Sequence, residues 1–310
     1  MAQSVTALPF GPAAGPKRAV ILLTSSGRRV SLVKTLRMVA RSLNIDLRIL
    51  ACDPSPRNCP ACLLADAAYQ TTHPQEPKYI DALLEICVIH RVTLILPTDG
   101  PELAPLSRNR DRFASIGTQI AISGPDVVEL TAVPEDAEAF LCAHGFSESS
   151  RGTGTSPKKA FEALQAREET LAEQHEQDGL RRFDVLMYFD RHDQLRATIP
   201  CERIIEGGVE LLVTRRCPAI AATAERLSNQ LQGLSSIISM DATLRPDGRL
   251  TVDRLKAYLS ENFEVAHRAG AEIMRWLLRE HCYGSTTISD EWQDGVQMIR
   301  YQAAVFVLPQ

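Results

Sequence analysis

The sequence predicts an α/β protein in which an N-terminal domain built on a parallel sheet precedes a shortened α+β lobe. Three observations carry that expectation. Through residue 124, short aliphatic runs alternate with amphipathic stretches, the pattern of strand-helix-strand units whose strands pair in parallel. Between 147 and 156 the chain turns to Ser, Gly and Thr and loses apolar periodicity, which marks a boundary. Beyond it, period-two runs joined by polar turns read as antiparallel hairpins.

The elements follow in order. Residues 1–18 contain Pro and Gly without a continuous apolar core, so a flexible leader is expected rather than a signal peptide. Strands are expected at 19–24, 47–51, 68–71, 92–96 and 119–122, with helices over 28–43, 79–90 and 101–113. Each right-handed crossover packs its helix back on the sheet. A ligand is then expected at the carboxyl ends of the strands. The domains are expected at 19–132 and 133–310. In the second, the pattern predicts a charged helix over 158–177 and a hairpin from 182–189 and 195–205. A helix over 219–232 and a second hairpin from 237–244 and 250–255 come next, around Pro246-Asp247-Gly248. A long helix over 261–281 and strands at 296–301 and 304–308 finish the chain.

A chain of 310 residues with 45% hydrophobic content fills two modest cores. A net charge of −4, with both signs interspersed, supplies no broad basic face, so no nucleic-acid partner is expected. No apolar run approaches the ~18 residues of a membrane span, and the cytoplasm is the default compartment. The eight cysteines are scattered as reduced thiols would be. Only Cys59 and Cys62 form a CxxC. Zinc would need two further ligands, and the histidines show no paired spacing that supplies them.

Thr24-Ser25-Ser26-Gly27-Arg28-Arg29 lies between the first strand and first helix, where free N–H groups and the helix dipole favour an anion. Gly27, Arg28 and Arg29 are therefore candidate ligand contacts, the alternative being a plain βα turn with solvated arginines. Asp53, Asp99 and Glu102 fall on the same expected sheet edge, where they would accept from an amine or hydroxyl. Each is equally a good turn or helix-start residue. Arg151-Gly152-Thr153-Gly154-Thr155-Ser156 reads as a phosphate-covering loop or as a linker. No GxSxG, HExxH, GxGxxG or Walker pattern is present, and no catalytic residue is assigned.

Several segments together resemble a known family: Val20 to Arg29, Ala51-Cys52-Asp53-Pro54-Ser55-Pro56, Leu94 to Leu103, Asn109 to Phe113, Pro200 to Gly208, Ala269-Gly270-Ala271, Trp292 to Tyr301, and Ala304 to Val307. In order and spacing they resemble the ATP-grasp proteins related to the carbamoyl phosphate synthase large subunit, in particular small stand-alone members. The resemblance implies a pre-ATP-grasp domain followed by a shortened ATP-grasp domain. It further implies ATP held between two α+β lobes, and activation of a carboxylate as an acyl phosphate that an amine attacks. Carried onto this sequence, nucleotide contacts fall on Arg151, Gly152, Thr153, Gly154, Lys158 (or Lys159), Arg254 and Lys256. Arg203 joins Gly27, Arg28, Arg29, Asp53, Asp99 and Glu102 as a substrate contact, and Asp241 takes a metal-ligand position.

The chain also departs from the family. The strand with an ATP-contacting lysine is missing before Arg151. Arg182 replaces the glutamate that opens the central hairpin, and the terminal Glu-x-Asn-x-Arg reads Arg254-Leu255-Lys256-Ala257-Tyr258. Two metal ligands have become cations without lone pairs. Glu261 and Asn262 lie close enough in sequence to serve as replacement oxygen ligands. The resemblance thus leaves ATP as a cofactor and argues against Mg2+. It favours a protein that binds a small polar metabolite or nucleotide, or serves as a scaffold in a homo-oligomer or beside a partner enzyme. The alternative is an active ligase in which Arg254 and Lys256 substitute for magnesium charge.

Overall fold

A computed structural model describes residues 16–27, 29–148, 179–206 and 209–300. β1 (Lys17–Thr24) is the centre of the first sheet because every residue from Ala19 onward is buried. Leu22 and Val20 face one core while Ile21 and Leu23 face the other, as a strand covered on both sides requires. It pairs in parallel with β2 (Ile45–Asp53) and β4 (Leu94–Pro97), flanked by β3 (Ala67–Gln70) and β5 (Gln119–Ile120). The strand order β3-β2-β1-β4-β5 reverses between β1 and β4, and that switch point opens a crevice at the carboxyl ends.

The helices of this half are α1 (Val30–Ser42), α2 (Pro60–Leu64), α3 (Lys78–His90), α4 (Leu103–Arg108), α5 (Arg110–Ser115), α6 (Pro125–Ala132) and α7 (Pro134–Ala143). The second half holds β6 (Arg181–Phe189), β7 (Leu195–Glu206), β8 (Val209–Thr214), α8 (Pro218–Ser228), β9 (Ser236–Leu244), β10 (Leu250–Lys256), α9 (Phe263–Arg268), α10 (Ile273–Tyr283) and β11 (Gln297–Ile299). Its strands form a six-stranded antiparallel sheet ordered β10-β9-β6-β7-β8-β11. Both hydrophobic clusters run from the first sheet into the second, so the halves share their cores.

The expected architecture is present, with local corrections. β1 begins at Lys17, inside the expected leader. The expected helix over 101–113 is broken. Asp99 caps a 3-10 turn at Gly100–Glu102, and α4 ends at Asn109, whose side-chain amide donates to the Pro105 carbonyl at 2.9 Å. That local bond competes with helix continuation. The long helix over 261–281 is two helices, because Gly270 takes φ +103 and the Ala271 N–H closes on the Ala266 carbonyl at 3.0 Å. The hairpin strand expected at 195–205 is the single strand β7, which runs to Glu206. The charged helix over 158–177 and the strand over 304–308 lie outside the described residues.

Candidate functional site

The loop after β1 is built from the inside. Ser25 and Gly27 take positive φ, and the buried Ser26 hydroxyl lies 3.4 Å from both Cys59 Sγ and Cys62 Sγ. Burial pushes the Cys62 thiol up to about 12, and both thiols of this CxxC are buried against the Ser26 hydroxyl as packing groups. Arg28 lies outside the described residues. Arg29 turns inward, only 8% exposed, and its Nη2 donates to the carbonyls of Thr98 at 2.7 Å and Leu259 at 3.1 Å. Desolvation pulls its pKa down, while Glu261 and Tyr258 partly offset that. Arg29 is thus a clamp between the halves rather than an open arm for an anion.

Glu102 is fully buried and fully engaged. Its Oε1 accepts the N–H groups of Thr98 (2.8 Å) and Asp99 (3.0 Å), and its Oε2 accepts the hydroxyls of Tyr79 (2.7 Å) and Ser25 (3.0 Å). Asp53 accepts from the N–H groups of Ser55 at 2.8 Å and Gly27 at 3.4 Å, and Asp99 accepts from Gly100 at 2.9 Å. The three carboxylates do converge on one edge. They hold its turns together, and Glu102 belongs to the scaffold rather than to an open surface.

A second constellation lies on one face of the antiparallel sheet. Side chains alternate across a strand, so register alone sets Arg203 opposite Arg182 and Arg182 opposite Thr243. The next row carries Cys201, Asp184, Asp241 and Arg254. A register irregularity between Val252 and Arg254 aims both Arg254 and Lys256 onto this face. Lys256 Nζ lies 2.7 Å from Asp241 Oδ1, and Arg254 Nε lies 4.0 Å from Asp241 Oδ2. Arg203 pairs instead with Glu210 at 3.0 Å.

Beneath them Asp184, 2% exposed, accepts the Ser260 hydroxyl and the Asn262 amide on Oδ2. Asn262 Oδ1 in turn accepts from Arg300, and Glu261 lies 3.7 Å from Arg300. Asn262 is therefore committed to a buried bridge and is not a free oxygen ligand. Among the described residues no group of three or more His, Cys, Asp or Glu is arranged to hold a metal. Mg2+ demands an octahedron of hard oxygen donors. An ammonium seated on Asp241 does not fit that demand.

Between α3 to α7 and the end of β10 lies a cavity of about 1220 Å³. Arg254, Lys256 and Tyr258 line one wall, and Arg108, Asn109 and Arg112 line the other. Arg112 is held by Asp81 at 2.8 Å, and Arg108 lies 3.9 Å from Glu129. Of the sequence-assigned contacts, only Arg254 and Lys256 line this cleft. Gly27, Arg29, Asp53, Asp99, Glu102, Arg203 and Asp241 do not, and Arg151, Gly152, Thr153, Gly154 and Lys158 lie outside the described residues. Sequence reasoning missed Asp184 and Ser260. Their pairing links β6 to the loop after β10 and has no local signal.

The PylC-like, N-terminal domain family matches residues 21–121. Among solved structures, the biotin carboxylase domain of a single-chain bacterial carboxylase is similar with TM-score 0.58 and 18% identity, over 90% of this chain and 73% of that one. N5-carboxyaminoimidazole synthetase from Staphylococcus aureus, complexed with ADP, gives TM-score 0.59 and 13% identity over 88% and 78%. The biotin carboxylase domain dimer of Hydrogenobacter thermophilus 2-oxoglutarate carboxylase, in complex with MgADP, ADP and bicarbonate, gives 0.60 and 13% over 89% and 72%. Curated proteins give no match. The chain therefore has the ATP-grasp fold, with an N-terminal parallel-sheet domain followed by an antiparallel lobe. No helix among the described residues is long and apolar enough to cross a membrane.

Proposed function

We propose that this chain is a small-ligand-binding protein on the ATP-grasp fold, with weak or no Mg-ATP chemistry, that takes a polar metabolite or nucleotide anion in the cleft between its halves. The observation that supports this reading is the 2.7 Å contact between Lys256 Nζ and Asp241 Oδ1. A divalent ion would have to displace that ammonium and sit beside Arg254 as well. At an effective dielectric of ~20, each unit charge about 4 Å away opposes the other by about 4 kcal/mol per charge product. Phosphoryl transfer needs a metal that bridges phosphate oxygens and fixes the line of attack. Two side-chain cations offset charge without that bridge.

The same two cations would attract an anion at the β10 end of the cleft, where Arg108 and Arg112 also line the cavity together with the carboxylates of Glu76, Asp81, Glu138 and Asp253. Under this reading the chain works in the cytoplasm, binding that ligand or serving as a scaffold for a second copy or a partner enzyme. The second reading is an active ligase forming an acyl phosphate, with Arg254 and Lys256 neutralising the phosphates. Calorimetric titration with ATP, with and without Mg2+, separates the two. Anion binding indifferent to Mg2+ and without ADP release supports the proposal. Magnesium-dependent tight binding with turnover on amino acids or bicarbonate defeats it.

A further inference from the structure

We infer that Lys256 is a resident cation: its ammonium closes a carboxylate pocket made by Asp241 and Asp184, and removing the ammonium turns that pocket into a divalent-cation site. This goes beyond the reading above but rests on the same ion pair. A chain that has lost metal binding by drift could have lost the carboxylates too. Here they remain. Asp184 and Asp241 stand directly opposite each other on neighbouring strands, where like charges repel.

Asp184 is buried, and its Oδ1 has no hydrogen-bond partner among the described residues. Its Oδ2 is already saturated by Ser260 and Asn262. An orphaned buried carboxylate oxygen is costly, and Lys256, seated on Asp241 one row along the same face, brings a positive charge to this side of the sheet. The lysine side chain is only 16% exposed, so its charge is held within the fold and does not sweep through solvent. Two carboxylates, one of them with an unused buried oxygen, and a nearly buried cation make a filled site.

Register explains the exchange. Lys256 stands opposite Ser239, one row beyond the Asp184–Asp241 pair. A lysine there reaches back to Asp241, whereas an asparagine would present an amide oxygen with room for an ion between. Lys256→Asn and Lys256→Ala should therefore expose the pocket, the first adding a hard oxygen donor.

The test is titration of the full chain with Mn2+ alone, read by electron paramagnetic resonance. The wild type is expected to show no saturable binding. Lys256→Asn should bind Mn2+ at least about tenfold more tightly than wild type, and adding Asp241→Asn should reverse the gain. Lys256→Asn should also melt at a higher temperature in Mn2+ than in chelator. If neither variant folds without metal, recovery of a cooperative melt in Mn2+ supports the inference and failure to recover overturns it. Equal affinity in wild type and Lys256→Asn, or a folded variant without saturable Mn2+ binding, likewise overturns it. Neither result depends on the ATP titration of the wild type, which alone decides the proposed function.

Discussion

Arg29 donates through Nη2 to the carbonyl oxygen of Leu259 at 3.1 Å, joining residues 230 positions apart. The same nitrogen reaches Thr98 at 2.7 Å, so one guanidinium ties the carboxyl edge of β4 to the loop after β10. Arg29→Ala leaves two buried carbonyls unserved and should cost about 3 kcal/mol. Arg29→Lys should recover only part, because an ammonium is a compact, strongly hydrated charge that costs more to bury than a guanidinium. Urea denaturation of both variants checks the order. Equal stability of Arg29→Ala and wild type would remove the clamp from the account of how the halves are held.

The hydroxyl of Tyr79 is the shortest of the four donors to Glu102. Burial pushes the Glu102 carboxyl above its ordinary value, and Tyr79 is the first of the groups that hold it down. Tyr79→Phe should therefore raise it further and destabilise by about 1–3 kcal/mol. An acid whose folded pKa is raised contributes stability that is complete below its unfolded pKa and fades as pH rises through the folded one. The loss in Tyr79→Phe should accordingly be larger near pH 7 than near pH 4. A loss independent of pH would mean that Glu102 is neutral throughout.

The hairpin of β6 and β7 shows the opposite sign. Burial raises the Glu202 carboxyl, but hydrogen bonds and charge from Arg181 (2.6 Å) and Arg215 (3.2 Å) bring it below its ordinary value. Stability from a depressed carboxyl is present above its unfolded pKa, roughly 4.3, and is lost as pH falls through the lower folded value. Glu202→Gln should be less stable than wild type near neutrality, with the gap closing as pH falls below about 4. Both arginines are partly exposed, so the gap should also shrink in high salt. Chemical denaturation across pH, with and without salt, measures it.

How much of this was legible depended on how local the cause is. The parallel order through residue 124 followed from aliphatic runs such as 19–24, because a strand buried on both faces must be apolar throughout. The break at Gly270 was less visible, since a glycine inside an apolar helical pattern is often tolerated and only its φ of +103 ends the helix. Residue type alone placed Arg29 and Glu102 at the sheet edge correctly but could not tell a ligand-facing group from one folded inward. That difference lies in Leu259 and Tyr79, which approach from remote segments. Lys256 is the reverse case. Its departure from Glu-x-Asn-x-Arg was readable in sequence, while the Asp184 carboxylate beneath it required the β6–β9 register.

The backbone contact between Gly124 and Gly233 fixes a second seam. The Gly124 N–H donates to the Gly233 carbonyl at 2.7 Å, beside reciprocal bonds between Ser123 and the backbone of Ser235. A Cβ on Gly124 would stand 3.2 Å from the Gly233 oxygen and 3.3 Å from its Cα. Neither atom can move easily, because Gly233 itself takes φ +74 and the serine bonds pin both sides. Gly124→Ala should cost about 1–3 kcal/mol, and Gly124→Val more. Gly117→Ala is the control: its φ of +79 brings strain, but nothing lies within 4 Å of the added carbon, so about 1 kcal/mol is expected. Thermal melts of the three variants distinguish steric from conformational cost. A Gly124→Ala melt no lower than that of Gly117→Ala would show that the seam yields, and the link from β5 into α6 would then be free to shift against the turn that leads into β9.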